Sequence, residues 1–193
     1  MQKEDRRQLL HLFVGLLIVV LVYFNLLTAF LLGIILLAGL ILSFFSTFLK
    51  IPVLGWFLKN FDREKDLKHL PGKGIIFMFF GAFLAVFFFP KDIALASIII
   101  LALGDSLAPL LGQFGKIRHP FDKRKFLEGA IFGLIAGFFG ALLFVNVYEA
   151  LIASAIAMIV EGIDFGLEIN PLDDNITIPI AACITITLLR LIV

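Results

Sequence analysis

Apolar residues run along this chain in seven blocks, at residues 9–23, 26–49, 74–89, 93–111, 127–145, 147–160 and 176–193, separated by polar or charged connections. Amphipathic surface helices bring a polar position back every third or fourth residue, and these blocks do not. They read as helices immersed in an apolar medium. The pattern predicts an all-α fold: a polytopic transmembrane helical bundle of about seven spans, forming one domain over residues 1–193. Five or six spans remain if two blocks merge or one is re-entrant, the boundary at Asn146 being the weakest break.

The connections carry the orientation. Lys3, Arg6 and Arg7 precede the first block; Lys50, Lys59, Arg63, Lys65, Lys68 and Lys73 fill the second connection; Lys116, Arg118, Lys123, Arg124 and Lys125 fill the fourth. Positive charge is retained on the cytoplasmic side, so a cytoplasmic N-terminus and about seven spans put all three groups on one face, with Lys91 and Arg190 opposite. The sixth connection reaches the same cytoplasmic face and is acidic, holding Glu161, Asp164, Glu168, Asp173 and Asp174. One face thus offers lysines for phosphate oxygens and carboxylates for a metal ion.

Composition narrows the class. With 61% hydrophobic and 16% charged residues and a mean hydropathy of +1.09, a soluble domain is excluded. The single cysteine, Cys183, rules out an intramolecular disulfide or a cysteine-based metal site. Glu4 and Asp5 in the leader, and no small-residue cleavage pattern after the first block, make that block a retained span and not a signal peptide. The chain has no Gly-x-x-x-x-Gly-Lys-Ser/Thr loop, no soluble-kinase motif set and no His-Glu-x-x-His pair. No nucleic-acid-binding motif accompanies the basic connections, so nucleic acid is not an expected partner.

Chemistry concentrates between residues 103 and 129. Asp105 follows an apolar run, and a carboxylate at the edge of the hydrocarbon costs roughly 2.5–3.5 kcal/mol, so it faces a cavity, an ion or a partner. Gly112 and Gly115 allow close backbone approach, Lys116 and Lys125 bring positive charge, and Glu128 opens the next helix, where it also complements the helix dipole. Glu4, Arg7 and His11 recur at helical spacing and can share a face. Residues 56–68 mix apolar and charged positions and suit a short helix lying on the membrane. Gly129, Gly133 and Gly137, four apart, form a small-residue stripe of the kind that brings helices together. Asp174 and Asn175 precede the last block, either as helix N-caps or as metal and nucleotide contacts.

Gly104-Asp105-x-x-Ala108-x-x-x-Gly112-x-x-Gly115-Lys116, followed by Lys125-x-x-Glu128-Gly129, resembles the CTP-dependent polyprenol kinase family: dolichol, phytol and farnesol kinases and the CTP-dependent diacylglycerol kinase of fungi. Glu4-x-x-Arg7-Gln8-x-x-His11 resembles that family's Glu-x-x-Arg-Lys-x-x-His element, and Asp174-Asn175-x-Thr177-x-Pro179 its Asp-Asn-x-x-x-Pro element. Gln8 in place of lysine, the interrupting Pro109, and Phe126 in place of Ser or Thr depart from the pattern.

The resemblance implies an integral-membrane kinase that moves the γ-phosphate of CTP to a long-chain lipid alcohol, with Mg²⁺. It implies catalytic roles for Asp105, Lys125 and Glu128, and metal binding by Asp105 and Asp174. Nucleotide contacts would come from Arg7, His11, Gly104, Gly112, Gly115, Lys116, Gly129 and Asn175. A CTP-dependent cytidylyltransferase acting on a lipid phosphate, or a small ion-coupled transporter, is the alternative expectation.

Overall fold

The computed structural model describes residues 3–49, 52–120, 122, 124–163 and 173–192, which are helical apart from turns and one isolated bridge between Arg118 and Phe126. Lys50, Lys123, Asp164 and Glu168 lie outside the described residues, as do the side chains of Lys65, Lys68 and His69. The helices are α1 (Lys3–Tyr23), α2 (Ala29–Ser46), α3 (Pro52–Phe61), α4 (Glu64–His69), α5 (Lys73–Phe88), α6 (Lys91–Ile100), α7 (Ser106–Gly112), α8 (Leu127–Ala141), α9 (Val147–Gly162) and α10 (Asp174–Ile192). A π-helical turn, Leu101–Asp105, joins α6 to α7 into one 22-residue rod.

Every expected apolar block falls on a helix, and the breaks have local causes. Thr28 caps α2, its Oγ1 accepting from the Leu31 amide at 3.4 Å. Gly72 turns the chain into α5 at φ +80°, a conformation that side chains rarely adopt. Asn146 is a true break: it forms a reciprocal capping box with Glu149 at the start of α9.

α6 is the axis of the bundle. Residues 93–100 are all buried, because α1, α5, α8, α9 and α10 all pack around α6. A helix apolar on every side can be satisfied only in such a position. The opposite case is α2, which packs on α5 and otherwise exposes Phe30, Leu37, Leu42 and Phe44, a surface suited to lipid.

By length and composition four helical segments can cross a membrane: Lys3–Tyr23, Ala29–Ser46, Lys91–Gly112 and Asp174–Ile192. The apolar helices α5 and α8 have 16 and 15 residues. At 1.5 Å per residue they reach roughly 23 Å, short of a hydrocarbon layer of about 30 Å. The span count therefore rests on four helices, not on the seven blocks.

The two ends of the bundle differ chemically. At one end Arg190, near the C-terminus of α10, contacts Asp92 at 2.7 Å and Glu149 at 2.8 Å, tying the starts of α6 and α9 to the last turn of α10. The opposite end gathers the start of α1, the α7–α8 connection, the end of α9 and the start of α10. Arg7, Gly115, Lys116, Lys125, Asp174 and Asn175 lie on these elements; Gly112, Glu128 and Gly129 flank the α7–α8 connection, and Gly104, Asp105 and His11 lie deeper in their helices.

Candidate functional site

Asp105, Glu161 and Asp174 meet at this end, with one carboxylate oxygen from each lying within 4.8 Å of the others. Each arrives by a different route. Asp105 closes the π-helical turn and is 8% exposed; π turns interrupt the regular hydrogen-bond ladder and recur at functional sites. Four residues on, Pro109 has no N–H to give the Asp105 carbonyl. The backbone is thus loosened on both sides of the carboxylate. Glu161 projects from the last turn of α9 and is 5% exposed. Asp174 is the first residue of α10.

Asp174 is free for this cluster because its neighbour does the capping. Asp173 Oδ1 accepts from the Asn175 amide at 3.2 Å and from Asn175 Nδ2 at 2.7 Å. Lys73 anchors Asp173 in turn, at 3.2 Å. The sequence had offered Asp174 or Asn175 as the cap; the residue before them takes that role. Asn175 Oδ1 is left buried and without a hydrogen-bond partner. Pro179 lies inside α10, and there too a carbonyl four residues back, that of Asn175, loses its helical donor.

Lys125 supplies the counter-charge. Its Nζ lies 2.6 Å from Glu161 Oε1 and 3.9 Å from Asp174 Oδ2, and it also donates to the Glu161 carbonyl. The connecting loop fixes this lysine through its backbone: the Lys125 amide donates to the Asp122 carbonyl at 3.0 Å, and its own carbonyl accepts from His119 at 3.1 Å. Burial opposes the Lys125 charge, but Glu161 and Asp174 outweigh it and hold the ammonium above the ordinary lysine range. His119, buried beside Gly162, adds an imidazole next to Glu161.

The other predicted residues have different local duties. Glu128 lies outside the carboxylate cluster: its Oε1 accepts from the Lys116 amide at 2.8 Å and the Ile117 amide at 3.1 Å, so it clamps the basic loop. A Cβ on Gly115 would stand 2.7 Å from that carboxylate, which explains the glycine. The Lys116 side chain is exposed. Gly104, Gly112 and Gly129 lie where helices touch. A Cβ on Gly129 would strike the Ala108 carbonyl, one on Gly112 would sit 3.1 Å from Gly129, and one on Gly133 2.8 Å from the Gly104 carbonyl. Two small-residue stripes, Gly104/Ala108/Gly112 and Gly129/Gly133, therefore press α7 and its π turn against α8. This contact sets the depth at which Asp105 is held.

On α1, Arg7 Nη2 pairs with Glu4 at 2.6 Å, and Gln8 also donates to Glu4. Arg63 reaches the same carboxylate at 3.1 Å, tying the α3–α4 junction to α1. His11, 2% exposed, lies under Gly74.

Two residues at the site were not among the sequence candidates. Glu161 was counted with the acidic sixth connection that offered carboxylates for a metal ion and was not singled out, although it directly follows its apolar block. His119 had no signal beyond its place in the basic loop.

The chemistry of the donor set is that of a hard cation. Carboxylate oxygens converging within 4.8 Å, with the orphaned Asn175 oxygen on the adjoining residue, fit Mg²⁺. Cysteine is remote, and the nearest imidazole is His119.

Comparison with known proteins gives relatives but no assigned activity. The chain is 28% identical over 181 residues to an uncharacterized protein of Methanocaldococcus jannaschii, covering 92% of this chain and 89% of that one. It is 29% identical over 120 residues to an uncharacterized protein of Rickettsia prowazekii, covering 60% of this chain and 57% of that one. No protein-family model and no solved structure matches.

Proposed function

We propose that this protein is a membrane lipid-alcohol kinase that transfers the γ-phosphate of CTP to the hydroxyl of a long-chain alcohol of the polyprenol or dolichol type. The observation that carries the reading is the convergence of Asp105, Glu161 and Asp174 with Lys125 at one end of an apolar bundle. The preference for CTP rests on the motif resemblance alone.

In this reading Asp105, Glu161 and Asp174 hold Mg²⁺, with Asn175 beside them. The ion, when bound, screens the charge of the phosphate oxygens. Lys125 balances the cluster and meets the phosphate; Lys116, held by its amide to Glu128, presents a second ammonium at the rim. Glu128 is a positioning residue for the basic loop. The oxygen of the alcohol forms the new bond to the γ-phosphorus, the bond to the β-bridging oxygen breaks, and CDP departs while the hydroxyl proton is released. Asp105 and Glu161 are buried while Asp174 and Lys125 stay partly exposed, so the cluster opens to solvent on the side where a nucleotide can arrive.

The same reading takes all seven apolar helices through the membrane, the short ones with local thinning of the bilayer. The N-terminus and the carboxylate end then face the cytoplasm, following the basic residues.

The test is incubation of detergent-purified protein with Mg²⁺, a panel of lipid alcohols, and CTP or ATP labelled at the γ-phosphate. Label moving from CTP into a lipid product is the expected result. No label in any lipid from either nucleotide would refute the proposal.

A further inference from the structure

Four N–H groups converge on one oxygen of Glu4. Its Oε1 accepts from Arg7 Nη2 at 2.6 Å, Arg7 Nε at 3.2 Å, Gln8 Nε2 at 3.2 Å and Arg63 Nη2 at 3.1 Å, while Oε2 receives Arg7 Nε at 3.3 Å. A carboxylate oxygen has about two lone-pair directions, so the donors exceed what this oxygen can accept well. Charge is unbalanced in the same sense, with two guanidiniums on one carboxylate. The neighbouring carboxylates do not relieve it. Asp62 is taken by the Gly72 amide at 2.6 Å, and Asp66 acts on Arg63 by charge without a hydrogen bond. Arg7 is the fixed member, its side chain 11% exposed, whereas Glu4 at 43% and Arg63 at 47% have room to turn.

This group stands beside the carboxylate cluster. α1 meets the π turn at Gly15, where a Cβ would lie 2.6 Å from that of Ala102, and from there α1 runs back, and the rod forward, to the same end. Arg7 is about two turns from that contact and Asp105 about one, which at 1.5 Å per residue puts the Arg7 backbone roughly 7 Å farther out. The charge of Asp105 reaches Arg63 as well. One Mg²⁺ and Lys125 together balance Asp105, Glu161 and Asp174, so the phosphates of a nucleotide bring negative charge that the metal site leaves unmatched. A guanidinium fork fits phosphate as it fits carboxylate, and phosphate has more oxygens to accept with. We infer that Arg7, Arg63 and Gln8 form a second anion site that clamps the non-transferred phosphates of the nucleotide, and that Glu4 holds their place until the nucleotide displaces it. The inference rests on the kinase reading for the source of the phosphate and adds Arg63 and Gln8 to the contact expected of Arg7. Because Arg63 is the N-cap residue of α4, just beyond α3, its hold on the phosphates keeps this surface segment against α1 at the edge of the site.

The experiment measures equilibrium binding of CTP labelled at the α-phosphorus to detergent-purified protein with Mg²⁺ and no alcohol, for wild type, Arg63→Gln and Glu4→Gln. Both substitutions break the same ion pair, so a merely structural pair moves them in the same direction. The clamp moves them in opposite directions. Arg63→Gln should weaken CTP binding about tenfold, the size of one charge-assisted hydrogen bond, and Glu4→Gln should tighten it about threefold, the size of an exposed ion pair given up. Unchanged or weakened binding in Glu4→Gln, or unchanged binding in Arg63→Gln, overturns the inference. Inorganic tripolyphosphate should compete with CTP, and less well in Arg63→Gln. Competition by phosphatidic acid in the same detergent, with none by tripolyphosphate, gives the donors to a lipid headgroup and overturns it too. Wild type that binds neither CTP nor tripolyphosphate does the same. If wild type binds tripolyphosphate with the opposite effects of the two substitutions but transfers no phosphate to any alcohol, the anion site stands and the kinase reading falls separately.

Discussion

Replacing Lys125 with methionine removes the ammonium paired with Glu161 and Asp174 and keeps most of the side-chain volume. Three carboxylates within 4.8 Å of one another repel by about 3–4 kcal/mol per pair at an effective dielectric constant near 20. Breaking a fully buried ion pair costs roughly 3–5 kcal/mol. Because the Lys125 side chain is 33% exposed, solvent screening lowers that to about 2–3 kcal/mol. For a chain of this size the loss corresponds to a fall in Tm on the order of 5–10 °C. The assay is built into the molecule, since the single cysteine, Cys183, is fully buried, and a thiol-reactive fluorogenic dye reports unfolding as it becomes accessible. In EDTA the Lys125→Met variant should melt below wild type by that amount. In excess Mg²⁺ the gap should narrow, because the cation supplies the charge that the lysine did. Glu161→Gln should gain little or nothing from Mg²⁺. A Lys125→Met variant as stable as wild type in EDTA, or one equally destabilised with and without Mg²⁺, would refute the electrostatic account of the cluster.

Four further outcomes follow from the same geometry. Asp105→Asn should abolish turnover while the melting curve in EDTA stays at or above that of wild type, since one repelling charge has gone; substantial residual activity would remove Asp105 from its role. Gly129→Val should lose monodisperse behaviour in detergent on size-exclusion chromatography, because its side chain strikes the Ala108 carbonyl. Lys125 has a raised folded-state pKa, so its stabilisation is full below the unfolded lysine value near 10.4 and fades only as pH rises through the higher folded value. The Tm gap between wild type and Lys125→Met in EDTA should accordingly be flat from about pH 9 to about 10, where the paired carboxylates are ionised, and shrink above it. Finally, with Cys183 replaced by alanine, single cysteines at Lys116 and Lys91 should label from opposite sides of the membrane; labelling from the same side would contradict the proposed crossing of that rod.

The helices were legible in the sequence because burial in an apolar medium leaves no other pattern for a backbone that must satisfy its own hydrogen bonds. Where each begins was harder to read: Asn146, the weakest break in the sequence, proves to be a firm one because its partner Glu149 stands three residues on and closes a capping box. The site was legible only in part. Asp105, Lys125 and Asp174 come together as their charges suggested, but Glu161 was hidden by being counted with a connection when it belongs to the last turn of α9. The glycines carried two readings, helix packing and nucleotide contact, for a physical reason. A glycine that admits a phosphate and one that admits a neighbouring helix are the same residue in a sequence, and only the Ala108 and Gly104 carbonyls facing α8 tell them apart. Glu128 was similarly ambiguous, since a carboxylate at a helix start serves equally well to clamp a loop or to bind an ion.

The most direct test of the central claim follows two labels of CTP, one on the α-phosphorus and one on the γ-phosphorus, through a single incubation with Mg²⁺ and the best alcohol of the panel. A kinase puts the γ label into the lipid and leaves the α label in CDP, and Asp105→Asn puts neither into lipid. The α label in a lipid product with release of pyrophosphate, or no lipid label from wild type under any condition, would contradict the account.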